Sequence, residues 1–374
     1  MRDPLFVAVV MGGPSAERDV SLNSGRTVVR ELAQSYRVKP VQILPDGLWE
    51  APQGCVQDAL PVDPKSCFTG DGLPSTRAVE RLLEEGVDVV FNALHGPMGE
   101  DGTVQGFLST LGIPFTGPDV IPAAVTMDKR LSKHVMRSAG IGTCPFFTLR
   151  AVDLRSGPVD WGQVVDRESA AVGFPWVFKP NRLGSSLGVA FLQNRAEVVA
   201  RAQQVIDSWP ESAWHDDLLV ERAASGRELT CGVIEMNGKP RALPPIEIRP
   251  KTGGFFDYHA KYTPGATEEI CPAPLDPHET AAVEETAIEV HRLLQCAPLS
   301  RTDMFLTPEN QLEVLEINTL PGMTDTSLIP LSASKAGISL AELLGALLDH
   351  ALARGAGGKG AVHRASAPNR GAAT

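Results

Sequence analysis

Long apolar runs are missing from this chain. The first one, Leu5 to Met11, ends in Gly-Gly-Pro and is too short to span a bilayer, so it reads as a buried strand. The expectation is a cytoplasmic protein with no membrane partner. Positive charge is also scarce: 34 Lys and Arg face 45 Asp and Glu, a net charge of −11, with no basic run on any candidate helix. A broad nucleic-acid surface is thereby excluded, and a phosphorylated ligand would need local Lys and Arg. The six cysteines (55, 67, 144, 231, 271 and 296) form no C-x-x-C pair, which argues against a zinc site or disulfide framework and fits a reducing compartment. No G-x-x-x-x-G-K-[ST] sequence exists, so a bound nucleotide would not be held in P-loop fashion. The tail segment GAGGKG matches a dinucleotide fingerprint by letter, but no strand precedes it and no helix follows.

What is present is 374 residues with 43% hydrophobic content, enough for two or three cores. Apolar runs at 5–11, 38–44, 87–93 and 113–116 alternate with helical patterns starting near Ser21, at 76–85 and at 102–111, which predicts a Rossmann-like parallel-sheet α/β domain over 1–121. Ligands of such sheets gather at the carboxyl ends of strands, where the loops Gly12–Asp19 and His95–Gly102 fall. One helix is expected over 122–139. Strands follow around a polar loop in 175–192, then a helix near 195–208, a strand at 217–222 and a hairpin at Asn237-Gly238. Helices at 276–295 and 339–353 complete the α+β part. From residue 353 the chain is rich in Gly, Ala, Arg and Ser, a composition that predicts a disordered tail over 353–374.

The segment 301–327 concentrates the chemistry. Strands at 300–306 and 311–318 flank the turn Thr307-Pro308-Glu309-Asn310. If Leu306 pairs with Gln311, Asp303 lies opposite Val314 and Arg301 opposite Glu316. Arg301, Asp303, Val314, Glu316 and Asn318 then share one face, while Thr302, Met304, Leu315 and Ile317 point to a core. Two carboxylates and an amide are hard oxygen ligands suited to Mg²⁺. A solvated strand face with a surface ion pair is the plainer reading, and two acids, an amide and an Arg in register weigh against it. Arg301 is expected to serve as an oxyanion donor rather than as an ion-pair partner.

Elsewhere, Gly184, Ser185, Ser186 and Gly188 with Lys179 form a loop able to wrap phosphates, although the same loop suits an ordinary surface hairpin. Glu221 and Glu228 flank a turn, and His95 sits in the polar loop HGPMGEDG. Lys261 and Tyr262 lie in the aromatic loop FFDYHAKYTPG, which suits either closure over a site or packing alone.

Eight pieces (GGPSAERDVSLNSG, ALHGPMGEDGTVQG, FTGPDV with AAVTMDK, VFKPNRLGSSLGV, VERAASGREL, FFDYHAKYTPG, SRTDMFL and EVLEINTLPGMTDTSL) resemble, in order and spacing, the D-alanine–D-alanine ligases of the ATP-grasp superfamily. The resemblance covers about residues 5–350. It implies a two-subdomain ATP-grasp fold after the N-terminal domain, with a central part at 122–225 and a C-terminal part at 226–352. It further implies ATP held by Lys129, Lys179, Lys261 and the Ser185 loop, with Glu221 and Glu228 at adenine and ribose. Two Mg²⁺ or Mn²⁺ ions would sit on Asp303, Glu316 and Asn318. The first D-alanine's ammonium would meet Glu17 near His95, and the second substrate's carboxylate would meet Ser327 and the backbone around Gly322. Glu17, Ser185 and Tyr262 match a hydrogen-bonded triad that closes the site, and the family suggests a homodimer. Tyr262 goes with D-alanine as acceptor. His259, Asp325 and the pair Ala223-Ala224 depart from the family pattern and bear on fine specificity. Two other readings are a paralogue using D-lactate, D-serine or another acceptor, and a non-catalytic nucleotide-binding protein; the latter would be expected to lack Arg301, Asp303 or Glu316.

Overall fold

A computed structural model describes residues 4–52, 68, 70–157, 159–184, 187–209, 216–236, 238–250 and 267–357. The expected site residues Ser185, Lys261 and Tyr262 lie outside them.

The first sheet comes from β1 (Phe6–Gly12), β2 (Arg37–Ile43), β3 (Trp49–Glu50) and β4 (Val89–Asn92), interleaved with α1 (Arg18–Leu32), α2 (Ser75–Glu84) and α3 (Thr103–Thr110). The order is β3-β2-β1-β4, with β1 parallel to both β2 and β4. Every residue of β1 is buried, as a central parallel strand covered on both faces requires. The predicted strand at 113–116 reduces to a single bridge, Val90 to Phe115.

The single helix expected over 122–139 is two: α4 (Val120–Met127) and α5 (Lys129–Ser138). Asp128 breaks them, because its backbone is extended (φ −86°, ψ 98°) and its carboxylate accepts from the Leu131 amide at 2.8 Å, capping α5. The break aims Lys129, the first residue of α5, into the interior.

A second, antiparallel sheet with order β5-β8-β6-β7 uses β5 (Phe146–Leu149), β6 (Trp176–Pro180), β7 (Ala190–Leu192) and β8 (Leu218–Arg222), flanked by α6 (Ala151–Arg155), α7 (Trp161–Glu168) and α8 (Arg195–Asp207). The third sheet holds β9 (Arg227–Met236), β10 (Lys239–Ala242), β11 (Ile246–Pro250), β12 (Thr267–Ile270), β13 (Leu299–Leu306) and β14 (Leu312–Asn318), ordered β12-β11-β9-β13-β14 with β10 on β9. Its helices are α9 (Pro277–Leu293), α10 (Leu328–Lys335) and α11 (Leu340–Gly357).

Helix α11 overruns the predicted tail boundary at 353. Its Leu343, Leu344, Leu347 and Leu348 pack with Val7, Val9, Val28 and Phe91 of the first unit in one core. Arg354 then donates to the carbonyls of Phe115 and Gly117 at 2.7 and 3.0 Å, which holds the helix in place past the point where composition predicts disorder. Among the described residues no single helix is long and apolar enough to cross a membrane.

Asp128→Ala removes the α5 cap and is expected to cost about 1 kcal/mol of unfolding free energy. A denaturant titration should show a lower midpoint at unchanged slope, and an identical midpoint would mean that the break does not depend on the cap.

Candidate active site

The β13–β14 hairpin differs in register from the expectation, in an instructive way. Leu306 faces Leu312 rather than Gln311, because residues 307–311 form the loop, with Asn310 at φ 58°. A second offset, a bulge beside Asp303 and Met304, places Asp303 opposite Glu316 and Arg301 opposite Asn318. Two one-residue offsets sum to one full side-chain period, so Arg301, Asp303, Glu316 and Asn318 still share a face. Between the offsets the parity is reversed. Val314 is buried with Met304, Thr302 and Ile317, and Leu315 lines the cleft instead. Register with β9 adds Thr230 opposite Asp303 and Glu228 opposite Phe305 to the working face.

Arg301 is an ion-pair partner after all. Its Nε and Nη2 each donate to Asp303 at 2.8 Å, a fork favoured by residues two apart on one strand face. The Thr230 hydroxyl donates to the same carboxylate at 2.6 Å. Asn318 Oδ1 accepts from the Leu320 amide at 2.9 Å. Among the described residues no group of three or more His, Cys, Asp and Glu converges as a metal cage. The available donor set is two carboxylates and one amide oxygen, which fits a hard divalent cation that keeps water or phosphate in its remaining positions.

Opposite this face lie the lysines. Lys129 Nζ donates to the Leu183 carbonyl at 2.6 Å and sits 3.5 Å from Glu316. Lys179, on β6, is 2.5 Å from Glu221, on the neighbouring β8. Burial works against the charge of Lys179, but Glu221 and Glu316 outweigh it and its pKa is raised. These groups line a cleft with Glu228, Asp303 and Glu316, walled by Val177, Leu187, Val189, Phe305 and Leu315. Its lining thus combines apolar side chains with lysines and carboxylates.

The third wall comes from the first sheet's carboxyl-end loops. Glu17 is buried, and two glycines press on its carboxylate: a Cβ on Gly96 would lie 2.6 Å from it, and one on Gly184 2.9 Å. Gly184 lies in the stretch between β6 and β7, so the first and second units meet at Glu17. His95 is buried 3.2 Å from Ser24 Oγ; burial, then the charge of Arg301, pushes its pKa down to about 4. Ser24 also accepts from the Met323 amide at 3.3 Å, and Ser327 Oγ lies 2.7 Å from Thr324 Oγ1, next to Gly322. His95 and the 322–327 loop are thereby brought together.

One residue escaped sequence reasoning. Glu100 accepts from the Gly96 amide at 2.6 Å and lines a recess with Lys129, Gly184, Glu316 and Asn318. Burial, then the charge of Glu17, raises its pKa to about 8. Its position five residues after His95 in a glycine-rich loop is the only signal the sequence offers.

Two antiparallel sheets closing on a lysine-lined cleft, with carboxylates on a hairpin face, have the architecture of an ATP-grasp enzyme. Residues 6–118 match the model of the D-ala D-ala ligase N-terminus, and residues 135–349 that of the D-ala D-ala ligase C-terminus. The chain belongs to the D-alanine–D-alanine ligase family. It is 41% identical over 356 residues to the D-alanine--D-alanine ligase of Syntrophobacter fumaroxidans, covering 94% of this chain and 98% of that one. Among solved structures it resembles the D-alanine-D-alanine ligase from Coxiella burnetii (TM-score 0.73, 26% identity, 97% and 98% coverage). It also resembles the VanG D-Ala:D-Ser ligase from Enterococcus faecalis (TM-score 0.73, 27% identity, 93% and 100% coverage).

His95 yields a pH prediction. Its folded pKa of about 4 lies below the ordinary 6.5, so between these values the unfolded chain binds the extra proton and stability falls as pH falls. His95→Asn should flatten this dependence by up to about 1.4 kcal/mol per pH unit between pH 6 and 4.5, measured by denaturant melts. An unchanged slope would mean that His95 is not held neutral.

Proposed function

We propose that this chain joins two D-alanines into D-alanyl-D-alanine for peptidoglycan precursors, converting ATP to ADP and phosphate through an acyl phosphate. The observation that carries this reading is the cleft in which Lys129 and Lys179 face Asp303 and Glu316, with Arg301 on the same face. We assign residues 1–121 to the donor side, 122–225 and 226–352 to the two grasping parts, and the enzyme to the cytoplasm as a homodimer.

The first D-alanine places its ammonium against Glu17 near His95, and its carboxylate oxygen attacks the γ-phosphorus in line, releasing ADP. Joining two anions demands positive charge. Lys129, Lys179 and Lys261 supply it, with the Ser185 loop wrapping the phosphates and Glu221 and Glu228 marking the base and ribose end. Two Mg²⁺ or Mn²⁺ ions held by Asp303, Glu316 and Asn318 would offset phosphate charge. The second D-alanine, its carboxylate at Ser327 and the backbone near Gly322, attacks the acyl carbon as a neutral amine after losing a proton. Arg301 meets the oxyanion as phosphate leaves; Asp303 occupies two of the five guanidinium N–H donors and holds the fork in position. Closure by Tyr262 with Ser185 and Glu17 excludes water, which would hydrolyse the acyl phosphate.

The test is phosphate release and dipeptide formation from Mg-ATP with D-alanine alone, then with D-lactate or D-serine added. Turnover with D-alanine alone is expected. Turnover only when D-serine or D-lactate is added would replace the dipeptide reading by the other acceptor, a point to which the VanG likeness gives substance. Glu316→Gln should lower kcat/KM by at least about a hundredfold, because it removes charge from the metal face. Near-normal turnover would refute the metal assignment. Tyr262→Phe should weaken rejection of D-lactate at neutral pH, read as the ratio of depsipeptide to dipeptide, and an unchanged ratio would count against the role of Tyr262 in acceptor choice.

A further inference from the structure

Lys133 has no place in the site described so far, yet it is fully buried. It lies on α5, one turn beyond Lys129, and its Nζ is 2.6 Å from Glu221 Oε1. The other oxygen of Glu221 is the one 2.5 Å from Lys179. Lys133 Nζ also donates to the Val314 carbonyl at 3.3 Å, immediately before the bulged Leu315 and the ligand Glu316. Close by, the Val314 amide donates to the Gly142 carbonyl at 2.8 Å. Helix α5, strand β8 of the second sheet and strand β14 of the third therefore meet on one ammonium group.

The electrostatics of this junction are asymmetric. A carboxylate placed against Lys179 alone would form a neutral pair, and a neutral pair attracts phosphate weakly. With a second lysine on its far oxygen, the three groups carry one net positive charge, and Lys179 is the lysine that lines the cleft. Burial by itself would favour protonated Glu221, but Lys133 and Lys179 outweigh it and lower its pKa, so the carboxylate is charged. A buried charge with one partner removed is costly and redistributes its remaining contacts.

We propose that Lys133 is a positioning residue for nucleotide binding: it engages one oxygen of Glu221, so that this carboxylate orients Lys179 without cancelling its charge toward the phosphates. Glu221 is then first a bridge between lysines, and any contact it makes with the base uses the lone pairs that remain. The inference rests on reading the cleft as the ATP site.

The experiment is calorimetric titration of Mg-ATP, without D-alanine, into the wild type, Lys133→Met and the double variant Lys133→Met/Glu221→Gln, with the KM for D-alanine measured at saturating ATP. Lys133→Met should weaken Mg-ATP by at least about tenfold while the D-alanine KM moves by less than about twofold. The double variant, having lost the carboxylate charge as well, should recover most of that loss. An unchanged Mg-ATP affinity in Lys133→Met, a parallel rise in both constants, or a double variant no better than the single would overturn the proposal. If Lys133→Met does not fold, Lys133→Gln, which keeps polar contact without charge, carries the same expectations. A wild type that binds no Mg-ATP would instead sink the nucleotide reading itself.

Discussion

Lys129, Lys133, Lys179 and Arg301 are held against Glu221, Glu316 and Asp303, with Lys133 and Glu221 buried and Glu316 partly open to the cleft. An ion in such surroundings persists only if another ion or a set of hydrogen bonds replaces its hydration shell. This requirement ties the architecture together. It brings α5 against both antiparallel sheets and gives each cation that lines the cleft a carboxylate partner. Preorganisation of this kind is what a reaction between two anions needs, since charge already in place need not be reorganised in the transition state.

Much of this was legible in the residues, and the failures have physical causes. The alternation of charged and apolar positions identifies the Arg301–Asn318 face because a strand has a strict period of two. The register is not legible, because Asn310 adopts a left-handed backbone and the bulge beside Met304 has no local sequence signal, while β13 keeps an unbroken register with β9. The helix break at Asp128 has neither Pro nor Gly to announce it. Only the competition between helix continuation and side-chain capping decides it, and capping prevails. The Lys133–Glu221 pair joins residues far apart in sequence, so no local pattern points to it. Glu100 likewise becomes significant only when folding sets it beside Glu17.

The family resemblance located most of the proposed site residues, and the geometry altered how two of them are understood. The sequence reads Arg301 as an oxyanion donor rather than an ion-pair partner, and the structure shows it in a fork-to-carboxylate pair with Asp303. Glu221 was expected at the base, and its carboxylate lies between two ammonium groups. In both cases the structure adds a pairing among charges, and such pairing is settled by distances of a few ångströms that the residue order alone leaves open.

The core shared by β1, α1 and β4 with α11 has a consequence for biosynthesis. The apolar face formed by Val7, Val9, Val28 and Phe91 is covered by Leu343, Leu344, Leu347 and Leu348, which are translated more than two hundred residues later. A ribosome-bound chain that has already made the whole first sheet still presents that face to solvent. The unit built from β1, α1 and β4 is therefore completed only once α11 has been made, and until then its apolar face is open to non-native contacts.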